Sequence, residues 1–257
     1  MSSDAQADLN VDKTAKQEGI LFMSNYNNIG IDNTLDKERI AHLFKLGIIA
    51  ALMVLVGDML LGWGVSDTSL SGMDRYFSRY LTVSNGRIIA SAILGLIGIP
   101  IESLSYFGVY RLIANRSEKL AHIYRAGIIG MLGFGAFTHV MCCAVIYYLN
   151  SVYEFNPAAA SESAIKFALF FLLPVMLIFL PFFLTAAVTQ FIAFLKGATP
   201  YPKWACIFTF LAGFGVAIII KFFGNHSIVN AITTGWISIG GLWAFGGLLI
   251  TMKKADM

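Results

Sequence analysis

The sequence predicts an all-α polytopic membrane protein, a six-transmembrane-helix bundle behind a short polar N-terminal tail. Three observations carry this. Of 257 residues, 57% are hydrophobic and 13% are charged, against about 25% charged residues in ordinary soluble domains. The apolar residues gather into six long runs, at 43–64, 88–112, 124–149, 164–195, 203–224 and 228–252, and crossing roughly 30 Å of hydrocarbon takes about 20 residues. The basic residues gather between them, on alternate sides.

The tail, residues 1–40, is polar and carries Asp4, Asp8, Asp12, Lys13 and Lys16, with one apolar island at 19–23. It has no short apolar core with a small-residue cleavage site, so the first run reads as a retained helix and residues 41–257 as the transmembrane domain. Asn33 or Thr34 is suited to cap the first helix, with Asp36 and Glu38 in its first turns. Between spans one and two, Leu70, Met73, Phe77 and Tyr80 or Leu81 recur at helical spacing while Arg75 and Arg79 take the other face, the pattern of an interfacial helix. In span two Pro100 predicts a kink. Span four runs without charge from Phe167 to Leu195, too long for a straight crossing, and Pro174 and Pro181 predict a bend. In span six Gly240 and Gly247 share a face, as in close helix packing.

Lys37, Arg39 and Lys45 precede span one; Arg111, Arg116, Lys119 and Arg125 link spans two and three; Lys196 and Lys203 link four and five; Lys253 and Lys254 follow six. The opposite face keeps Arg75, Arg79, Arg87, Lys166 and Lys221. By the positive-inside rule this predicts a multi-pass protein of the cytoplasmic membrane with both termini inside. The expected partners are therefore bilayer lipids, not nucleic acid. Cys142, Cys143 and Cys206 all fall within spans and read as small apolar side chains.

Span one contains "VLVGDMLLGWG", residues 54–64, with an aspartate inside an apolar run. Asp58 lies thirteen residues beyond Lys45 and His139 fourteen beyond Arg125, so both stand roughly 20 Å from the basic face. Glu102, in "GIPIESLSY", is nine residues before Arg111, about 13 Å from that face. Ionisable groups at such depth are costly and are expected to face inward with partners. Asp58, Glu102 and His139 are the candidate ligand-binding residues, chemically suited to acid–base work, proton relay or anchoring a polar head. His139 and Cys142 share a helix face and Asp58 could supply a third ligand, but one histidine beside ordinary buried cysteines is a weak metal set, and the sequence leaves any cofactor open. Gln190, Asn230, Thr233, Thr234 and Ser238 read as inter-helix hydrogen-bonding groups. No phosphate loop, nucleophile elbow or HExxH occurs, which removes nucleotide hydrolysis and the common hydrolase mechanisms.

"GDMLLGWG", "GRIIASAILGLIGIPIESLSYFGVYRL", "GAFTHVMCC" and "GATPYPKWACIF", in that order, resemble a family of functionally uncharacterised bacterial six-span integral membrane proteins. The likeness covers about residues 45–225 and implies that Asp58, Pro100, His139, Pro202 and Trp204 are family motif positions. It implies no activity, and the polar tail looks like an addition to the family pattern. A fainter similarity, to intramembrane zinc hydrolases of the alkaline ceramidase and adiponectin-receptor group, stops at the residues: those sites use several histidines in seven spans. The sequence thus predicts a lipid or small amphiphile bound in a pocket formed by spans one, two and three and open toward the exterior leaflet. A lipid-modifying enzyme using the same trio, or an assembly protein whose polar groups order helices, are the alternatives.

Overall fold

The computed structural model describes residues 35–257, all helix and connecting turn with no strand among them. The island at 19–23 and the capping residues Asn33 and Thr34 lie outside the described residues. Helix α1, Lys37–Gly62, is capped by Asp36, whose Oδ1 accepts the Arg39 N–H at 3.0 Å. Asp36 therefore precedes the first turn, and Glu38 alone supplies its acidic residue.

The chain continues through α2 (Gly72–Ser78), α3 (Asn85–Ser105), α4 (Phe107–Ala114) and α5 (Glu118–Phe155). Next come α6 (Pro157–Phe167), a π-helical turn (Ala168–Leu172) and α7 (Leu173–Leu195). A 3₁₀ segment (Lys203–Phe208), α8 (Phe210–Lys221), α9 (Ser227–Thr234) and α10 (Trp236–Thr251) complete the bundle. Five helices are long and apolar enough to cross a membrane: Lys37–Gly62, Asn85–Ala114, Glu118–Phe155, Pro157–Leu195 and Trp236–Lys254. The remaining predicted span falls on α8, whose 12 residues reach about 18 Å; the 3₁₀ segment before it adds about 12 Å.

The irregularities have local causes. The π turn directly precedes Pro174, which lacks the N–H a regular helix would need there, and α7 then continues through Pro181. Helix α3 likewise continues through Pro100, and the interruption of the second span comes later, at Tyr106. The last span divides at Gly235, where the chain has to leave room: a Cβ there would stand 2.5 Å from Leu55 Cδ1 and 3.1 Å from Asp58 Oδ2. The interfacial helix shortens to α2, because Phe77 and Tyr80 turn into an apolar cluster with Leu61, Val83, Ile146 and Leu149, leaving Leu70 and Met73 exposed.

Packing follows chain order. Helix α1 packs on α3, α3 on α5, α5 on α7, α7 on the 3₁₀ segment and α8, α8 on α10, and α10 back on α1. That closed ring needs a filling, and aromatic side chains supply it. Tyr106 and Phe245 have ring centroids 4.5 Å apart, Phe183 and Phe210 5.0 Å, and Phe44 and Phe245 6.0 Å. Gly240 packs on Phe210 and Gly247 on Phe208, so the shared glycine face of the last helix lets it approach the fifth pass. The outer face of the π turn and α7 keeps Phe170, Phe171 and Leu177 exposed, as a lipid-facing surface would.

One end of the ring joins the basic loops to the C-terminus. Arg116 lies 3.6 Å from Asp256, Tyr201 donates to the Leu248 carbonyl at 2.7 Å, and Lys254 stands 5.2 Å above the Trp204 ring. The other end gathers Ser66, Arg79, Val83, Asn150 and Asn225: Asn225 donates to the Ser66 carbonyl and Asn150 to that of Val83.

Candidate functional site

Asp58 and His139 meet. Their carboxylate Oδ1 and imidazole Nδ1 are 3.5 Å apart, with 15% and 9% of the side chains exposed. Two further helices complete the arrangement: Ser238 of α10 donates to Asp58 Oδ2 at 3.2 Å, and His139 Nε2 lies 3.1 Å from the Ser91 carbonyl and 3.3 Å from its hydroxyl, on α3. A carbonyl can only accept, so Nε2 carries a hydrogen. Asp58 also stands beside Gly235, the N-cap of α10, where unsatisfied N–H groups and the helix dipole favour a carboxylate. Hydroxyl, imidazole and helix end together offset the cost of holding Asp58 in an apolar run.

Close approach of α3 makes the pair possible. A Cβ on Gly95 would collide with the His139 ring, 2.5 Å from Nε2 and 2.7 Å from Cγ. Cys143, one turn along α5, places its Sγ 3.7 Å from the Ser91 hydroxyl; Cys142 takes no part in these contacts.

Glu102 occupies a different point of the same layer. It is 5% exposed, accepts from the Tyr106 hydroxyl at 3.4 Å, and its Oε1 presses against Gly241 of α10. Ser238 and Gly241 are three apart and so share a face of α10, which places the two carboxylates in successive turns against that helix. The trio is thus organised by α10 as much as by the first three spans. Ser91 and Tyr106 join the site with a signal only in their spacing: Ser91 is eleven residues before Glu102 and Tyr106 four after it, each on Glu102's helix face.

Neither of two cavities in the bundle is lined by Asp58, Glu102 or His139. A small one of about 10 Å³ lies among Tyr106, Tyr124, Phe183, Gln190 and Phe210, room for about one water. The larger, about 380 Å³, lies at the Ser66 end; Arg79, Lys221, Thr233 and Thr234 are its polar lining, Phe214 and Trp236 its aromatic one. It adjoins the polar layer, since Gly235, between lining residues Thr234 and Trp236, is the residue that Asp58 touches.

Fold and site together define a helical multi-pass membrane protein with a buried carboxylate–imidazole pair spanning four helices. Residues 25–255 match the model of a family of unknown function, DUF6796, and the chain belongs to that family. The match begins inside the polar tail, so residues 25–40 are family sequence and not an addition to it. No curated protein and no solved structure matches the chain.

Proposed function

We propose that this membrane protein binds a lipid or small amphiphile in the 380 Å³ cavity between α8 and the α9–α10 turn. The observation that carries the reading is the position of this cavity. Its volume suits a small ligand, its walls combine hydroxyl and aromatic groups, and Asp58 lies against Gly235, the residue between lining residues Thr234 and Trp236. In this reading Asp58, His139 and Glu102 are the polar backing of the site. Asp58 is nearest the ligand, His139 and Ser238 hold it in place, and Glu102 stands one turn further along α10. The positive-inside rule puts the end carrying Arg116 and Lys254 in the cytoplasm, with the termini, and the cavity at the outer face of the cell membrane.

The test is native mass spectrometry of gently extracted protein. A retained amphiphile is expected on the wild type and its loss in Ala217→Phe, since Ala217 lines the cavity and is buried and the larger ring fills it. A folded Ala217→Phe variant that keeps the same adduct, or a wild type carrying none after incubation with lipid, refutes the reading.

A further inference from the structure

We infer that the ligand of this cavity is an anionic phospholipid whose phosphate is held by Arg79 and Lys221, an inference that rests on the amphiphile-binding reading and adds the charge and class of the head. The two cations reach the cavity from different elements, the turn after α2 and the end of α8. Among the described residues, neither has a carboxylate within ion-pair distance. Lys221 Nζ donates to Asn230 Oδ1 at 2.9 Å, which leaves two of its three ammonium donors for a ligand. Asn230 is itself fixed, donating to the Gly64 carbonyl at 3.0 Å and to Asn225 Oδ1 at 2.7 Å.

Arg79 is pinned between two tyrosines, its guanidinium 4.9 Å above the Tyr76 ring and 4.5 Å above that of Tyr80, to whose hydroxyl it donates. Its Nε is buried without a hydrogen-bond partner. Burial, reinforced by the neighbouring Tyr76, pushes the Tyr80 hydroxyl above the usual tyrosine range despite Arg79, so Tyr80 accepts a hydrogen bond without cancelling the charge. The site therefore holds two uncompensated cations with donors to spare.

A phosphodiester matches that layout, since its two non-bridging oxygens share one charge and can meet donors on separate elements. The hydrocarbon part is indicated by the stretch of α8 that precedes Lys221. Phe214, Ala217 and Ile218 line the cavity there, and Ile218 and Ile219, 60% and 61% exposed, offer acyl chains a path into the bilayer.

The experiment is native mass spectrometry of the full chain incubated with equal amounts of phosphatidylglycerol and phosphatidylcholine of identical chains, then with oleate or inorganic phosphate as competitor. Phosphatidylglycerol is expected to be retained at least about tenfold over phosphatidylcholine. Lys221→Gln should remove most of that preference and Lys221→Arg restore it; Lys221 is exposed, so neither change threatens the fold. Equal retention of both lipids in the cavity, abolished by Ala217→Phe, overturns the anionic head while leaving amphiphile binding intact. Absence of any adduct overturns both. A preference unchanged in Lys221→Gln overturns the cation assignment, and displacement by oleate or inorganic phosphate at equal concentration overturns the phospholipid.

Discussion

Gly95→Ala is the sharpest single perturbation of the polar layer. The added Cβ would lie 2.5 Å from His139 Nε2 and 2.7 Å from Cγ, closer than non-bonded atoms pack. The ring has no room to yield, being tied to Asp58 at 3.5 Å and to the Ser91 carbonyl at 3.1 Å. Either α3 and α5 separate, or His139 abandons both partners. Overpacking of this kind costs about 1–3 kcal/mol, and each lost hydrogen bond about 0.5–1.5 kcal/mol, more where a buried partner is stranded. A destabilisation of about 2–5 kcal/mol is therefore expected. The control is Gly133→Ala, a helical glycine on the facing helix α5 with nothing within 4 Å of the added Cβ; relief of backbone entropy there is worth up to about 1 kcal/mol in the stabilising direction. Unfolding of both variants in the same mild detergent, followed by tryptophan fluorescence, gives the comparison. If Gly95→Ala unfolds at the same midpoint as Gly133→Ala, the close approach of α3 to His139 is wrong.

Asp58→Asn should stay within about 1 kcal/mol of the wild type, because the amide can donate to Nδ1 and accept from Ser238, whereas Asp58→Leu strands both partners and should cost about 2–4 kcal/mol. Equal losses in the two variants by detergent unfolding would argue against the pairing geometry. Gln190 Oε1 accepts the Phe210 N–H at 3.1 Å, capping the first turn of α8. Gln190→Leu should cost about 1–3 kcal/mol and speed amide exchange at Phe210; unchanged exchange there would refute the cap.

The membrane bundle was legible because its signal is compositional and long: apolar runs of some twenty residues leave few soluble solutions. The Asp58–His139 contact was legible too, since two helices starting from basic residues on one face bring positions thirteen and fourteen residues inward to equal depth. What the sequence concealed was the role of the last helix. Ser238 was readable as an inter-helix hydroxyl, but its choice of Asp58 depends on the ring closing α10 onto α1, and ring order is not encoded by any local pattern. Proline positions did not by themselves locate the helix interruptions. Pro100 lies inside α3, while the second span is interrupted at Tyr106 and the last one at Gly235, where Leu55 and Asp58 crowd the backbone.

That break at Gly235 connects the two halves of the molecule's polar chemistry. A continuous helix through 227–251 would present no N-terminus at this depth, and Asp58 would then have only His139 and a hydroxyl to offset its burial. Interrupting the helix supplies a fresh set of backbone donors beside the carboxylate. The same interruption places Thr234 and Trp236 on the cavity lining, so the feature that stabilises Asp58 also shapes the space above it. Asp58 thus lies against the turn whose neighbours line the cavity. Asp58→Leu is therefore expected to weaken amphiphile retention in the cavity, and unchanged retention in native mass spectra would refute that link.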